Sequence, residues 1–128
     1  MSSGVRDAAG QIDRRLGEPP VLTFPDGWTL SKSWQRAQTA GDLGGPVNPA
    51  ERTVLLDDGG DPHTVLFAIS DGKLRAECDC SGYSYRSWCA HVASCWWRWV
   101  RGEISVTDLD TERTHLTPPW WLSVGGDR

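Results

Sequence analysis

The sequence lacks the segments that would place a protein in or across a membrane. Its longest unbroken apolar run, residues 65–69, is far shorter than the roughly 20 residues that a membrane-spanning helix requires. No positively charged stretch followed by an apolar one opens the chain, so we recognise no secretory signal. We therefore expect a soluble, intracellular protein located in the cytoplasm.

An excess of positive charge is also lacking. Lys and Arg number 13 against 17 Asp and Glu, which gives a formal net charge of −4. Neutralising phosphates requires clustered cations, so the composition excludes the whole chain as a non-specific polyanion binder. The locally basic segment is residues 72–103, where five Lys and Arg face three acidic residues.

The sequence has none of the catalytic motifs that are most easily recognised. It contains no glycine loop that could cradle phosphates, no Gly-x-Ser-x-Gly nucleophile motif and no Cys-x-x-Cys redox pair. These absences favour a binding function, and we expect that the protein is not an enzyme.

Cysteine is limited to four residues, and all four lie within residues 78–95. Two disulfides would be one explanation of such a cluster. Without a secretory signal the thiols are expected to be reduced, and clustered reduced thiols indicate a metal site.

Tryptophan is unusually abundant, with eight residues in a chain of 128. Each indole combines a large apolar surface with one N–H donor that needs a partner when buried. Because Trp96, Trp97 and Trp99 cannot all face one core, we expect Trp97 to project onto the N-terminal segment or onto a partner. The alternative is that Trp28 and residues 120–121, which resemble a docking clasp, cover it internally.

Composition divides the chain into an arm and a domain. Residues 1–20 are polar and contain three glycines and a Pro-Pro pair, which predicts a flexible N-terminal arm. Residues 21–128 are expected to form a single domain. Apolar residues after position 21 should dock on its core, and Ser33 is predicted to cap a short helix that runs to about residue 40.

The central part of the chain predicts an antiparallel β-meander followed by one main helix. Asp71-Gly72 is a strong signal for a tight hairpin turn, and Gly102 is placed to end the helix. The predicted elements are strands over residues 53–56, 63–69, 73–80 and 104–106 and a helix over residues 89–101.

The cysteines and one histidine form the pattern Cys-x-Cys, eight residues, Cys-x-His. Residues i and i+2 share a face in a strand, so Cys78 and Cys80 can point to one metal ion. In a helix the same spacing separates two side chains by about 200°. We therefore predict that Cys89 lies at or just before the helix start and His91 in its first turn, so that all four ligate one structural Zn²⁺.

This pattern, with a hairpin before it and a helix at its last pair, resembles the SWIM zinc finger, whose signature is CxCxnCxH. The resemblance covers about residues 63–102 and extends to an apolar residue after the histidine, Val92. It implies an α+β fold, in which a small antiparallel β-meander joins a ββα zinc finger with one main helix. It also implies Cys78, Cys80, Cys89 and His91 as the metal ligands.

Other residues of metal-binding type have simpler interpretations. Cys95 lies one helical turn after His91, so it could be an alternative ligand, but free cysteine is usually buried and a core position is favoured. His63 and His115 are isolated, which favours ordinary polar roles. The acidic group at Asp57, Asp58 and Asp61 lacks the register of a calcium loop and is expected to form a turn.

Two kinds of partner fit the sequence. A Cys₃His site is coordinatively closed, so the zinc would be structural. The surplus of aromatic residues favours a protein-interaction adaptor, because Trp, Tyr and Arg dominate the energetics of protein interfaces. The alternative is DNA binding linked to transposition, recombination or helicase-associated processes, which the SWIM resemblance implies. The segment from Tyr83 to Trp88 offers rings for stacking and a guanidinium. The candidate contact residues are Tyr83, Tyr85, Arg86, Trp88 and Trp97.

Overall fold

A computed structural model describes residues 20–80 and 88–122, which form an α+β fold, as predicted. An antiparallel sheet of four strands, paired in chain order, lies against two helices. The strands are β1 (Gly45–Pro46), β2 (Glu51–Val54), β3 (His63–Ser70) and β4 (Lys73–Cys78), and the helices are α1 (Lys32–Thr39) and α2 (Ala90–Val100). A 3-10 turn (Trp28–Leu30) precedes α1, and a small second sheet pairs β5 (Val106–Thr107) with β6 (Thr114–His115).

The predicted Asp-Gly hairpin joins β3 to β4. Asp71 and Gly72 have φ angles of 57° and 70°, so both central residues adopt the left-handed conformation that this turn requires. The turn sets a register in which Ser70 faces Lys73 and Val65 faces Cys78. Strand β4 ends at Cys78, two residues earlier than predicted.

Strand β2 was predicted two residues too late. The side-chain carbonyl of Asn48 accepts hydrogen bonds from the backbone N–H groups of Ala50 and Glu51, which starts the strand at Glu51. At the other end of β2, the N–H of Leu55 donates to Asp42 Oδ1 at 3.0 Å and is therefore not available for pairing between strands. Two short polar side chains therefore set the bounds of β2.

Helix α1 is capped by Ser31, so the prediction of Ser33 as the cap was wrong. The Ser31 backbone is extended, and its Oγ accepts the Trp34 N–H at 3.1 Å. Ser33 already lies inside the first turn of the helix. Capping requires an extended backbone before the first turn, which Ser31 supplies.

Helix α2 ends as predicted. Gly102 has a φ angle of 73°, its N–H donates to the Trp99 carbonyl, and the Glu103 N–H donates to the Arg98 carbonyl. This pair of bonds is the Schellman motif, and glycine adopts its left-handed position without steric cost.

The main core lies between the sheet and the two helices. The N-terminal segment docks there as expected: Leu22 and Phe24 are buried, and the Leu22 N–H donates to the Leu74 carbonyl at the edge of β4. The opposite face of the sheet carries a smaller cluster of Ala50, Leu66 and Ala68, with Leu109 packed against it.

The C-terminal prediction was partly wrong. The expected strand over residues 104–106 is found at Val106–Thr107. Trp120 is 93% exposed, so residues 120–121 do not cover Trp97. Instead Trp97 meets Trp34 of the N-terminal segment edge to face, with 5.5 Å between ring centroids. Within the described residues, no helix combines the length and apolar character that crossing a membrane requires.

Candidate metal centre

Cys78, Cys80, Cys89 and His91 converge at one end of the sheet. One ligand atom from each lies within 4.8 Å of all the others. Tetrahedral zinc with Zn–S bonds near 2.3 Å places its sulfur atoms about 3.8 Å apart, so the group can close on an ion with small movements. The structure thus brings together the four side chains that the sequence singled out.

Two secondary-structure elements position these ligands. Cys78 is the last residue of β4, and Cys80 follows it after one residue. Cys89 is the N-cap of α2, with φ −149° and ψ 169°, and His91 lies in the first turn. The predicted placement of Cys89 at the helix entry is confirmed. The extended backbone there lets two residues at i and i+2 point to the same place, which two helical positions cannot do.

Cys89 caps the N-terminus of α2 with its sulfur atom. Its Sγ accepts the Val92 N–H at 3.4 Å, which is the hydrogen bond of an N-cap made by sulfur. Cys89 therefore helps to begin α2, and its sulfur atom lies in the four-residue group.

His91 fits the role of a neutral nitrogen ligand. Burial, followed by the charges of His63 and Arg36, lowers the pKa of His91 to about 4. The neutral imidazole is the form that binds metals. Its Nδ1 is buried and has no hydrogen-bond partner among the described residues. A metal ion would give this nitrogen the partner that a buried polar atom needs.

The thiols are the groups from which a metal must displace protons. A hydrogen bond with Cys89, and then burial, raise the pKa of Cys78 well above its usual range. Cys78 and Cys89 are buried, whereas Cys80 is partly exposed. Because a metal competes with protons for these sulfur atoms, its affinity should fall as the pH is lowered.

The donor set favours zinc among the common metal ions. Three soft sulfur ligands and one imidazole suit Zn²⁺, and a Cys₃His set is typical of closed structural sites. None of the four cysteines, all of which lie in the described residues, is in a disulfide. The chain therefore carries a four-residue group that could hold a metal ion.

Arg36 of α1 lies within electrostatic reach of this group. Its pKa is raised chiefly by the hydrogen bond to Asp58, with smaller contributions from Cys80 and Cys89. The guanidinium and the Asp58 carboxylate form two hydrogen bonds of 2.7 and 2.9 Å, and the arginine lowers the pKa of Asp58. Asp58 therefore lies in a turn, as predicted, and its carboxylate forms an ion pair with Arg36.

The remaining histidines and cysteine lie outside the four-residue group. Cys95 is 1% exposed within the main core, and burial raises its pKa to about 12, so it remains a neutral thiol. The His115 ring packs against Trp121.

His63 lies closer to the metal group than expected. Its ring centroid is 4.4 Å from that of the candidate ligand His91. This contact was not predicted from the sequence. The available signal was Asp79, which lies between the candidate ligands Cys78 and Cys80 and whose carboxylate contacts the His63 ring.

The predicted contact residues have different outcomes. Tyr83, Tyr85 and Arg86 lie outside the described residues. Trp88 is 3% exposed, and its Nε1 donates to Ser31 Oγ at 3.2 Å. The prediction that it contacts a partner was therefore wrong, since its N–H and its apolar surface are both used internally.

Trp97 is half-buried and contacts two neighbouring side chains. One is the ring of Trp34, and the other is the Arg101 guanidinium, which lies 4.8 Å from the centroid of the Trp97 ring. The cation is in the range of a cation–π contact. Trp97 thus makes an aromatic contact and a cation–π contact within the chain.

No family model, no curated protein and no solved structure matches this chain. The likeness to a SWIM zinc finger accordingly rests on the spacing of four residues and on their placement at a strand end and a helix start.

Proposed function

We propose that this chain is a zinc-binding module of the SWIM type, which binds a protein partner and has no enzymatic activity. The observation that carries the proposal is the convergence of three cysteines and one histidine where β4 ends and α2 begins. Four protein ligands complete the tetrahedral coordination of Zn²⁺ and leave no position for a substrate. The metal then joins the hairpin to the helix.

The distribution of charge supports a protein partner over nucleic acid. Arg98 and Arg101, which could have met phosphates, both pair with Glu103 at 3.2 and 3.0 Å. Arg75 is 4% exposed and is therefore withdrawn from the surface. Three thiolates and one Zn²⁺ would add about one negative charge nearby. Lys73 remains exposed, which leaves little positive charge there for the phosphate contacts on which nucleic-acid binding depends.

The exposed apolar side chains support the same choice. Leu116 and Trp120 expose 57% and 93% of their surface, and Trp121 exposes 41%. We call these three residues the C-terminal apolar segment. Tryptophan is enriched among the residues that dominate the energetics of protein interfaces, which makes this segment the favoured contact surface.

Metal analysis of the purified, reduced chain tests the zinc site. We expect about one equivalent of zinc per chain, and Cys89→Ser should lose most of it because one ligand of the closed set is removed. Cys95→Ser is the matched control, since it changes a cysteine of the same helix outside the group and should retain the metal. Less than about half an equivalent in the unmodified chain would refute the site.

Titration with short single- and double-stranded DNA at low and moderate salt tests the choice of partner. We expect no micromolar binding at moderate salt. Micromolar binding that weakens steeply with salt is the signature of phosphate contacts and would favour the nucleic-acid alternative.

A further inference from the structure

His63 occupies a place beside the metal ligands that no part of the proposed zinc function uses. It is the first residue of β3, and its ring lies against the ring of the ligand His91 at 4.4 Å between centroids, with the planes tilted by 50°. The His63 side chain is 28% exposed, whereas His91 is 6% exposed. His63 is therefore the more exposed ring of this contacting pair.

Asp79 fixes His63 in that place. One carboxylate oxygen, Oδ1, lies 2.8 Å from His63 Nδ1, and the other accepts the Thr64 N–H at 3.4 Å. The Asp79 N–H also donates to the Thr64 carbonyl. Since Asp79 lies between the ligands Cys78 and Cys80, the segment that supplies two sulfur atoms also anchors the histidine that packs on the nitrogen ligand.

We propose that His63, held by Asp79, forms the outer wall of the metal site and slows the release of the metal ion. The inference rests on the proposed zinc site. A ring packed on His91 restricts its rotation away from the ion, and a competing ligand or water must displace that ring to approach from this side. Groups outside the coordination sphere that orient a ligand commonly change metal affinity by about 10- to 100-fold when they are removed.

The rate at which a colour-forming zinc chelator takes the metal from the full-length chain tests this inference. His63→Ala, which removes the ring, should release zinc about tenfold faster. His63→Phe retains a flat ring against His91 and should recover most of the lost protection. Asp79→Asn should accelerate release in the chain that carries His63. In the His63→Ala background it should have a much smaller effect, because only the weaker hydrogen bond of Asp79 to the Thr64 N–H is then altered.

Zinc content and the thermal unfolding midpoint are measured on every variant. They distinguish faster zinc release caused by loss of the His63 ring from faster release caused by a general loss of stability. His115→Ala is the matched control: it removes a partly buried strand histidine outside the metal group and should leave the release rate unchanged. Unchanged release from both His63→Ala and Asp79→Asn at full zinc content would overturn the inference alone. Loss of about half or more of the zinc in His63→Ala would also overturn it, by making His63 a ligand. An unmodified chain without zinc would overturn the proposed function as well.

Discussion

The two halves of helix α2 are held in different ways. Its first turn lies at the four-residue metal group, where Cys89 and His91 face Cys78 and Cys80. Its second half enters a chain of rings in edge-to-face or tilted contact, with centroids 4.7 to 5.9 Å apart. We call this chain the aromatic cluster, and its members are Phe24, Trp28, Trp34, Phe67, Trp88, Trp96, Trp97 and Trp99.

The difference shows what each half needs in order to fold. The aromatic cluster gains free energy by removing large apolar surfaces from water, with a further contribution from ring geometry. The metal group instead collects polar atoms. Among them is His91 Nδ1, which has no hydrogen-bond partner in the described part of the chain and whose burial is costly without one. The first half of α2 should therefore depend on an ion, and the second half on packing.

Removal of the metal should have the largest effect and should act first on the metal end. Binding of a structural zinc ion is worth on the order of 10 kcal/mol in zinc-finger peptides. After treatment with a strong chelator, the amides of Asp79 and Val92, which bond within the metal end, should exchange hydrogen much faster. The amides of Leu22 and Gln35, which bond near the aromatic cluster, should lose less protection.

Hydrogen exchange followed by NMR distinguishes the possible responses. Equal loss of protection at all four amides would break the comparison, because the metal would then hold the whole domain. Undiminished protection of Val92 would show that the first turn of α2 forms without an ion.

Trp99→Ala should produce the next largest effect. The side chain is fully buried, contacts the rings of Phe67 and Trp96, and donates from Nε1 to the His115 carbonyl at 2.8 Å. Truncation of a buried tryptophan costs about 3–5 kcal/mol. Chemical denaturation in the presence of zinc should show this loss in the free energy of unfolding.

Trp99→Phe is the matched control for that measurement. It retains an aromatic ring and removes the N–H, so the loss should be nearer the cost of one unpaired buried group, about 1–3 kcal/mol. If Trp99→Ala and Trp99→Phe were equally unstable, the hydrogen bond to His115 would matter more than the packing.

Ser31→Ala should destabilise the protein less than Trp99→Ala, and it should weaken contacts near both halves of α2. The Ser31 hydroxyl donates to the Trp28 carbonyl and accepts from the Trp34 N–H. It also accepts from Nε1 of Trp88, the residue before Cys89. Loss of a serine cap costs about 0.5–2 kcal/mol, and the buried indole N–H would also lose its partner. Ser33→Ala, in the same helix, should change the free energy of unfolding by about 0.5 kcal/mol or less.

The grouping of the four candidate ligands could be predicted because it depends on local geometry. Strand alternation places Cys78 and Cys80 together, and the turn of a helix forces Cys89 to its entry. The hairpin at Asp71-Gly72 was predictable for the same reason, since the turn type determines which residues can form it. Each of these inferences needs only a few neighbouring residues.

Several of the differences from prediction depend on partners that are distant in the chain, although the start of β2 is set by the nearby Asn48. Nothing in a local pattern chooses Ser31 over Ser33, whereas Trp88, 57 residues away, donates to Ser31. The end of β2 is set by Asp42, which is 13 residues from Leu55. The contact of His63 with Asp79 spans 16 residues. Single-sequence patterns carry no information on which distant polar groups meet.

Trp120→Ser should have the smallest effect on folding and thereby sharpens the contrast between buried and exposed tryptophan. Its ring is 93% exposed, so removing it should change the free energy of unfolding by about 0.5 kcal/mol or less. If the C-terminal apolar segment contacts a protein, the same substitution should weaken that complex by about 2 kcal/mol or more, as hot-spot tryptophans do. Leu43→Ser is the control, because it alters another exposed apolar residue. Equal binding by both variants in a quantitative pull-down would exclude Trp120 as a contact.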